Sequence, residues 1–196
     1  MIRRKGLLRA VGLVSYNSEV ARTESNSLQR AAQRGSRHSW NYPFHLYNRS
    51  LESLIGQHAP EDPHKSFLLN AQAAESGMHD AVLAMGWFYL NGVGVERDVE
   101  QARRWYRKSA RQGDSRALFS LGQMAYDEKD YADAEVWFRR AVDKGHAASL
   151  FWLGKLFWRG NGVHEDRKQA MALFQRAASK KMPAAQRALR FLSRKR

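Results

Sequence analysis

Seven histidines, two glycine-rich turns and three aligned carboxylates are the parts of this 196-residue chain whose types and spacing could do chemistry. A metal centre needs ligands that converge, as the paired histidines of H-E-x-x-H do on one helix face. Here His58 and His64 flank Pro60 and Pro63, His79 and His146 follow Gly77 and Gly145 at helix starts, and His164 lies in a turn. They read as turn and cap residues in solvent. No serine stands in a nucleophile elbow, and the absence of cysteine excludes disulfides, thiolate catalysis and thiolate metal sites. The expectation is that the chain has no catalytic residues, no metal ligands and no cofactor.

The glycine turns, Gly92-Val93-Gly94-Val95 and Gly160-Asn161-Gly162-Val163, suggest a phosphate cradle. Neither follows a strand pattern, carries a third glycine at the fingerprint spacing or runs on into Gly-Lys-Ser/Thr. Glycines that permit positive φ in a turn, with a valine returning to the core, explain more. The carboxylates Asp98, Asp130 and Asp166 each precede an aligned alanine by four residues. A side chain there accepts from free amides at a helix start, and Gln101 and Gln169 stand where a capping box requires them, with Asp133 in the middle copy.

These residues are positioned by a repeat. Met85-Gly86-x-Phe88-Tyr89, Leu121-Gly122-x-Met124-Ala125 and Leu153-Gly154-x-Leu156-Phe157 recur, and the steps from Gly77 to Gly113, Gly145 and Lys181 are 36, 32 and 36 residues. Ala102, Ala134 and Ala170 fall into one column, Tyr106, Phe138 and Phe174 into another, and Ala110, Val142 and Ala178 into a third. The apolar positions within each copy keep a helical period, so each copy reads as a helix pair. A helix-interior glycine costs about 1 kcal/mol relative to alanine. Three aligned ones (Gly86, Gly122, Gly154) predict close approach of the partner helix.

The resulting pattern, A-x3-[LM]-G-x-[LF]-[YF]-x2-G-x-G-V-x2-D-x3-A-x2-[WL]-[YF]-x3-A, resembles the Sel1-like repeat, a relative of the tetratricopeptide repeat. The middle copy lacks four loop residues, and its Leu121-Gly122, Tyr126, Asp130-Tyr131, Ala134, Phe138 and Ala141 are similar to the ordinary tetratricopeptide pattern. The resemblance covers residues 66 to 194 and implies an all-α fold, an α/α solenoid of three helix-pair repeats with N- and C-terminal capping helices. The repeats are placed at 77–112, 113–144 and 145–180 within a domain of 65–196. Phe67 to Ala74 serves as the first cap. A final helix over 183–194, begun by Pro183 and carrying Ala185, Leu189 and Leu192, serves as the last.

Stacked helix pairs curve, and their first helices line a concave face. Residues one turn apart on that face are Asp80, Leu83, Trp87 and Asn91; Arg116, Phe119, Gln123 and Asp127; and Ala148, Phe151, Lys155 and Arg159, with Trp152 at the border. The resemblance to tetratricopeptide grooves implies that these positions touch a peptide. Aromatic anchors beside Arg and Lys suit a ligand that is acidic and partly apolar. Packing between repeats is the alternative role for Phe119, Phe151 and Trp152.

Charge adds a second theme. The chain carries 33 basic and 19 acidic residues, a net +14. Half of that excess falls in residues 1 to 51, and Arg187, Arg190, Arg194, Lys195 and Arg196 add to the other end. Residues 1–48, rich in Ser, Asn, Gln and Arg, read as a disordered basic tail. Leu7, Leu8, Val11 and Val14 could give its start a short amphipathic helix. Residues 49–64 read as a linker with a short docked helix at Leu51 to Ile55, interrupted by Pro60 and Pro63. A cytoplasmic location is expected; the alternatives are a mitochondrial presequence in the Arg- and Ser-rich tail and a secretory signal, which Arg9 interrupts.

Two functions are expected from these features. The first is a non-catalytic protein-protein interaction module, an adaptor or scaffold that binds a peptide or partner helix on the concave face. The alternative is a binder of nucleic acid or another anionic surface through the Arg-rich N-terminal tail. The oligomeric state is left open, and no apolar run is long enough for a transmembrane segment.

Overall fold

A computed structural model describes residues 42–55 and 62–193. The expected tail up to residue 41, with its amphipathic start, and His58, Pro60 and Arg194 to Arg196 lie outside the described residues. Everything described is helix or short connection: α1 (Tyr42–Ile55), α2 (Pro63–Glu75), α3 (His79–Asn91), α4 (Val99–Arg111), α5 (Ser115–Asp127), α6 (Tyr131–Asp143), α7 (Ala147–Arg159), α8 (Arg167–Ser179) and α9 (Pro183–Ser193). The fold is a solenoid of helix pairs, with no strand among the described residues. The chain divides within α4 into one compact unit up to Trp105 and a second from Tyr106.

In the first unit α1 packs on α2 and α2 on α3. Leu46, Tyr47, Leu54, Ala73, Ala81, Met85 and Phe88 form its core, closed by Phe67 and Trp105. Phe67 meets Phe88 and Tyr89 edge-on, with ring centroids 5.9 and 5.5 Å apart. In the second unit α5 packs on α6, α6 on α7, α7 on α8 and α8 on α9, around Phe138, Leu153, Leu156, Phe157, Leu173 and Phe174. Pro183 opens α9, as its sequence position requires, and Ala185 seats that helix with no exposed surface.

Each second helix begins in the same way. Asp98, Asp130 and Asp166 accept from Gln101 N, Asp133 N and Gln169 N at 2.9, 3.1 and 2.8 Å. The capping box is closed differently from the expectation. The backbone amides of the three aspartates donate to Tyr89, Ala125 and Phe157 carbonyls on the preceding helix, so the chain's own first helix takes the bond that Gln101 and Gln169 were expected to take.

Asp62 belongs to the same series. It accepts from Lys65 N at 2.9 Å, its amide donates to Ser53 O, and Ser66 N donates back to its carbonyl. By this register Ser66 stands in the Ala102 column and Asn70 in the Tyr106 column, and Ser50 takes the place of the glycines. All three are fully buried. Ser50 Oγ donates to Ser66 O at 2.8 Å and Ser66 Oγ to Ser50 O at 2.7 Å. The helix read as an N-terminal cap is therefore the second member of a further pair, and α1 starts at Tyr42, inside the segment read as tail. A polar trio in place of Gly, Ala and an aromatic ring hid this pair from pattern matching.

Two glycines of the column, Gly122 and Gly154, act as expected. A Cβ on Gly122 or Gly154 would enter the ring of Phe138 or Phe174 on the partner helix. The glycine turns have a packing role. Gly94 and Gly162 have φ of 69° and 68°, and a Cβ would strike the start of the previous second helix, at Pro63 and His64 or at Tyr131 and Ala132. His64 Nδ1 lies 3.0 Å from Gly94 O. Val95 and Val163 then return, half-buried, to their cores.

A cation and aromatic cluster on the first helices

The amphipathic pattern of α5 and α7 buries Leu121, Met124, Leu153 and Leu156 and leaves one side of each helix partly open. On that side of the second unit, α5 contributes Tyr126 and α7 contributes Trp152, Lys155 and Arg159. Tyr126 and Trp152 meet edge-on at 4.9 Å, and Trp152 lies parallel to the buried Phe138 ring at 6.1 Å. Lys155 Nζ stands 3.8 Å from the Trp152 centroid and 4.9 Å from that of Tyr126. Arg159 Nη1 reaches the Tyr126 hydroxyl at 3.5 Å.

The electrostatics of Lys155 are unusual for a surface lysine. Burial against the rings pushes its pKa below the ordinary lysine value, Arg159 pushes the same way, and Asp127 pulls it back. Ring faces attract the ammonium, yet they replace only part of its hydration. Among the described residues no carboxylate lies within ion-pair distance of Lys155. An incoming carboxylate would relieve that deficit, and the rings beside it offer apolar contact.

The other expected contact residues fall into distinct environments. Arg116 is tied down: its Nε and Nη2 donate to Asp114 at 3.0 and 2.7 Å, and its amide donates to the same carboxylate. Phe119 lies half-buried on Phe138 and on His146, whose centroid is 4.6 Å away. Phe151 leans on Phe174 at 5.5 Å. Phe119 and Phe151 thus both pack on rings of their own unit while staying half-buried, whereas Trp152 both packs and carries Lys155. Gln123 is half-buried and Asp127 exposed.

In the first unit Asp80 lies in the first turn of α3, Trp87 is half-buried edge-on to Phe88, and Asn91 Nδ2 donates to Trp87 O at 2.8 Å. Leu83 corrects the expectation. It is 5% exposed, turned into the core because α3 is covered on nearly every side, and so offers a ligand nothing. Tyr126 is the residue that sequence reasoning missed as a contact. Its signal was present: it lies one turn beyond Gly122, level with Trp158 in the next copy.

Among the described residues the histidines do not converge on a metal site. His64 bonds a turn carbonyl and His164 is exposed. His146 is not in solvent as expected: it is half-buried under Phe119, with Nδ1 3.0 Å from Ser149 Oγ. Burial lowers its pKa, Asp114 raises it and Arg116 lowers it. Among the described residues no group of His, Asp and Glu could hold a metal ion, and no helix is long and apolar enough to cross a membrane.

The chain is similar in structure to a Sel1 repeat protein from Oxalobacter formigenes, with 27% identity and a TM-score of 0.74 over 84% of this chain and 71% of that one. It is also similar to a protective antigen of uropathogenic Escherichia coli strains that displays an SLR fold. That match has 29% identity and a TM-score of 0.69 over 81% of this chain and 33% of the other. In sequence, 66 residues are 35% identical to chitin synthase regulator SKT5 of Malassezia restricta, over 34% of this chain and 5% of that protein. Another match, to chitin synthase regulator SKT5 of Saccharomyces cerevisiae, spans 61 residues at 36% identity, 31% of this chain and 9% of that protein. The chain therefore spans only a small part of these curated relatives. Four segments, residues 46–78, 79–114, 115–146 and 147–182, each match the Sel1 repeat, and the first of them is the α1–α2 pair with its polar core. Proteins of this kind are generally protein-interaction modules. With four consecutive matches between residues 46 and 182, the chain belongs to the Sel1 repeat family.

Proposed function

We propose that this protein is a non-catalytic adaptor whose α5–α7 face holds an acidic, partly apolar peptide or helix of a partner protein. The observation that carries the reading is Lys155, a cation seated on Trp152 and Tyr126 with Arg159 one turn on and no carboxylate at ion-pair distance among the described residues. A half-buried, under-solvated ammonium gains most from an anion that arrives with its own apolar neighbours. The curated relatives bear the name of regulators, which accords with a module that acts by holding another protein.

Affinity purification of three chains tests this: the full chain, one lacking residues 1–41, and Lys155→Glu combined with Arg159→Glu. Partners should survive the deletion and disappear with the charge reversal. The excess positive charge of residues 1–51 supports a second reading, tail-driven binding to nucleic acid or another anionic surface. That reading requires the opposite pattern, with binding that falls steeply as salt rises.

A further inference from the structure

The thirty residues after Asp166 contain ten Lys or Arg and no Asp or Glu. Residues 52–166, by contrast, hold more acids than bases. Within it lie α8 and α9, which end at Ser193. Arg176 and Lys180 close α8 and Lys181 follows with φ of 61°, all three exposed. Favourable interaction with the helix dipole accounts for cations there. It extends to Arg190 in the last turn of α9 but not to Arg187 in mid-helix; the inner side of α9 seats Ala185, Leu189 and Leu192, and its outer side carries Arg187, Arg190 and Phe191. Phe191 is 58% exposed, more than any other large apolar side chain among the described residues. None of Arg176, Lys180, Lys181 and Arg187 has an ion-pair partner among the described residues.

We propose that the outer side of α8 and α9 docks on an anionic phospholipid surface, with Phe191 entering the headgroup layer and Arg187, Arg190 and Lys180 meeting phosphates. An aromatic ring flanked by arginines on an exposed helix face suits an interface that is apolar below and anionic above. Nucleic acid fits less well, because binding beyond simple charge attraction stacks successive bases on a row of aromatic faces, and Phe191 is the single large aromatic ring that is exposed among the described residues. Two further indole rings already carry this chain's own cations: Arg140 stands 4.7 Å over Trp137 and Arg167 stands 5.4 Å over Trp158.

The test is co-sedimentation of the full chain with vesicles of phosphatidylcholine alone and of phosphatidylcholine with phosphatidylserine. Partitioning is expected only with the acidic vesicles. Arg187→Glu combined with Arg190→Glu should lower it about tenfold or more, since each basic residue near such a surface contributes about fivefold. The matched reversal Arg3→Glu with Arg4→Glu should change it much less. Because the chain has no cysteine, Phe191→Cys accepts a polarity-sensitive dye at one position, and its emission should shift to the blue with acidic vesicles only. Equal losses from both reversals, or an unshifted dye on bound protein, would overturn the proposal. So would binding to a single-stranded oligonucleotide that depends on Arg187 and Arg190 when vesicles fail to bind. Thermal melts of the α9 variants check that they remain folded.

Discussion

The Cβ that Gly122 lacks would stand 2.6 Å from both Cδ1 and Cε1 of Phe138. Phe138 has no exposed surface and is itself pressed by Phe119 and Trp152, so its ring has nowhere to retreat. Gly122→Val should therefore cost about 2–3 kcal/mol, the usual range for overpacking. In a chain of this size that lowers the melting temperature by roughly 5–10 °C. A Phe138→Leu background should reduce the penalty, and a double-mutant cycle by thermal melting measures the coupling. Equal penalties in both backgrounds would remove the packing argument.

Leu46 and Tyr47 are each 3% exposed and anchor α1 to its unit. Deleting residues 1–41 should leave thermal stability nearly unchanged. Extending the deletion to residue 48 strips both side chains from the core, at about 1.5–3 kcal/mol for each. Comparing the two truncations by circular dichroism locates the start of the folded region.

His146 gives a pH dependence with a definite sign. Its folded pKa lies below the ordinary value of 6.5, with burial as the main cause. The unfolded chain then binds more protons than the folded one between the two values, so stability is held above pH 6.5 and is lost as pH falls through that window. His146→Asn removes the titrating ring and should flatten this acid slope in melts taken across the window.

Gly162 and Gly145 both have positive φ, 68° and 83°, but only Gly162 has a neighbouring backbone where its Cβ would go. Alanine at Gly145 should cost about 1 kcal/mol, the strain of φ alone. Gly162→Ala should cost clearly more, because it forces the turn off Tyr131 and Ala132. Denaturant titration of the two variants separates strain from packing; equal midpoints would place the whole effect in φ.

The three regular pairs were legible because Gly122 and Phe138, or Gly154 and Phe174, are complementary residues at constant spacing, and because Asp98, Asp130 and Asp166 punctuate the chain. The α1–α2 pair was not, since Ser50, Ser66 and Asn70 satisfy the same register with hydrogen bonds, to which a search for apolar columns is blind. In the site, Lys155 and Arg159 followed from helical spacing. Tyr126 did not, because the ring that completes the cluster belongs to another helix and its approach depends on how α5 and α7 stack. The burial of Leu83 was hidden for another reason: buried residues run without a break from Ala81 to Gly86 in α3, so periodicity marks no open side there.

The Ser50, Ser66 and Asn70 trio also limits how such a protein can be rebuilt. Asn70 Nδ2 donates to Ala81 O, tying the α1–α2 pair to the next helix, while its Oδ1 has no partner among the described residues. A ring placed at position 70 would need the space that the Ser50 side chain takes, and a glycine at position 50 would empty space that no ring fills. Duplication, deletion or shuffling of repeats must therefore move both helices of a pair together, and α1–α2 is not a spare part that can be exchanged for any of the other three.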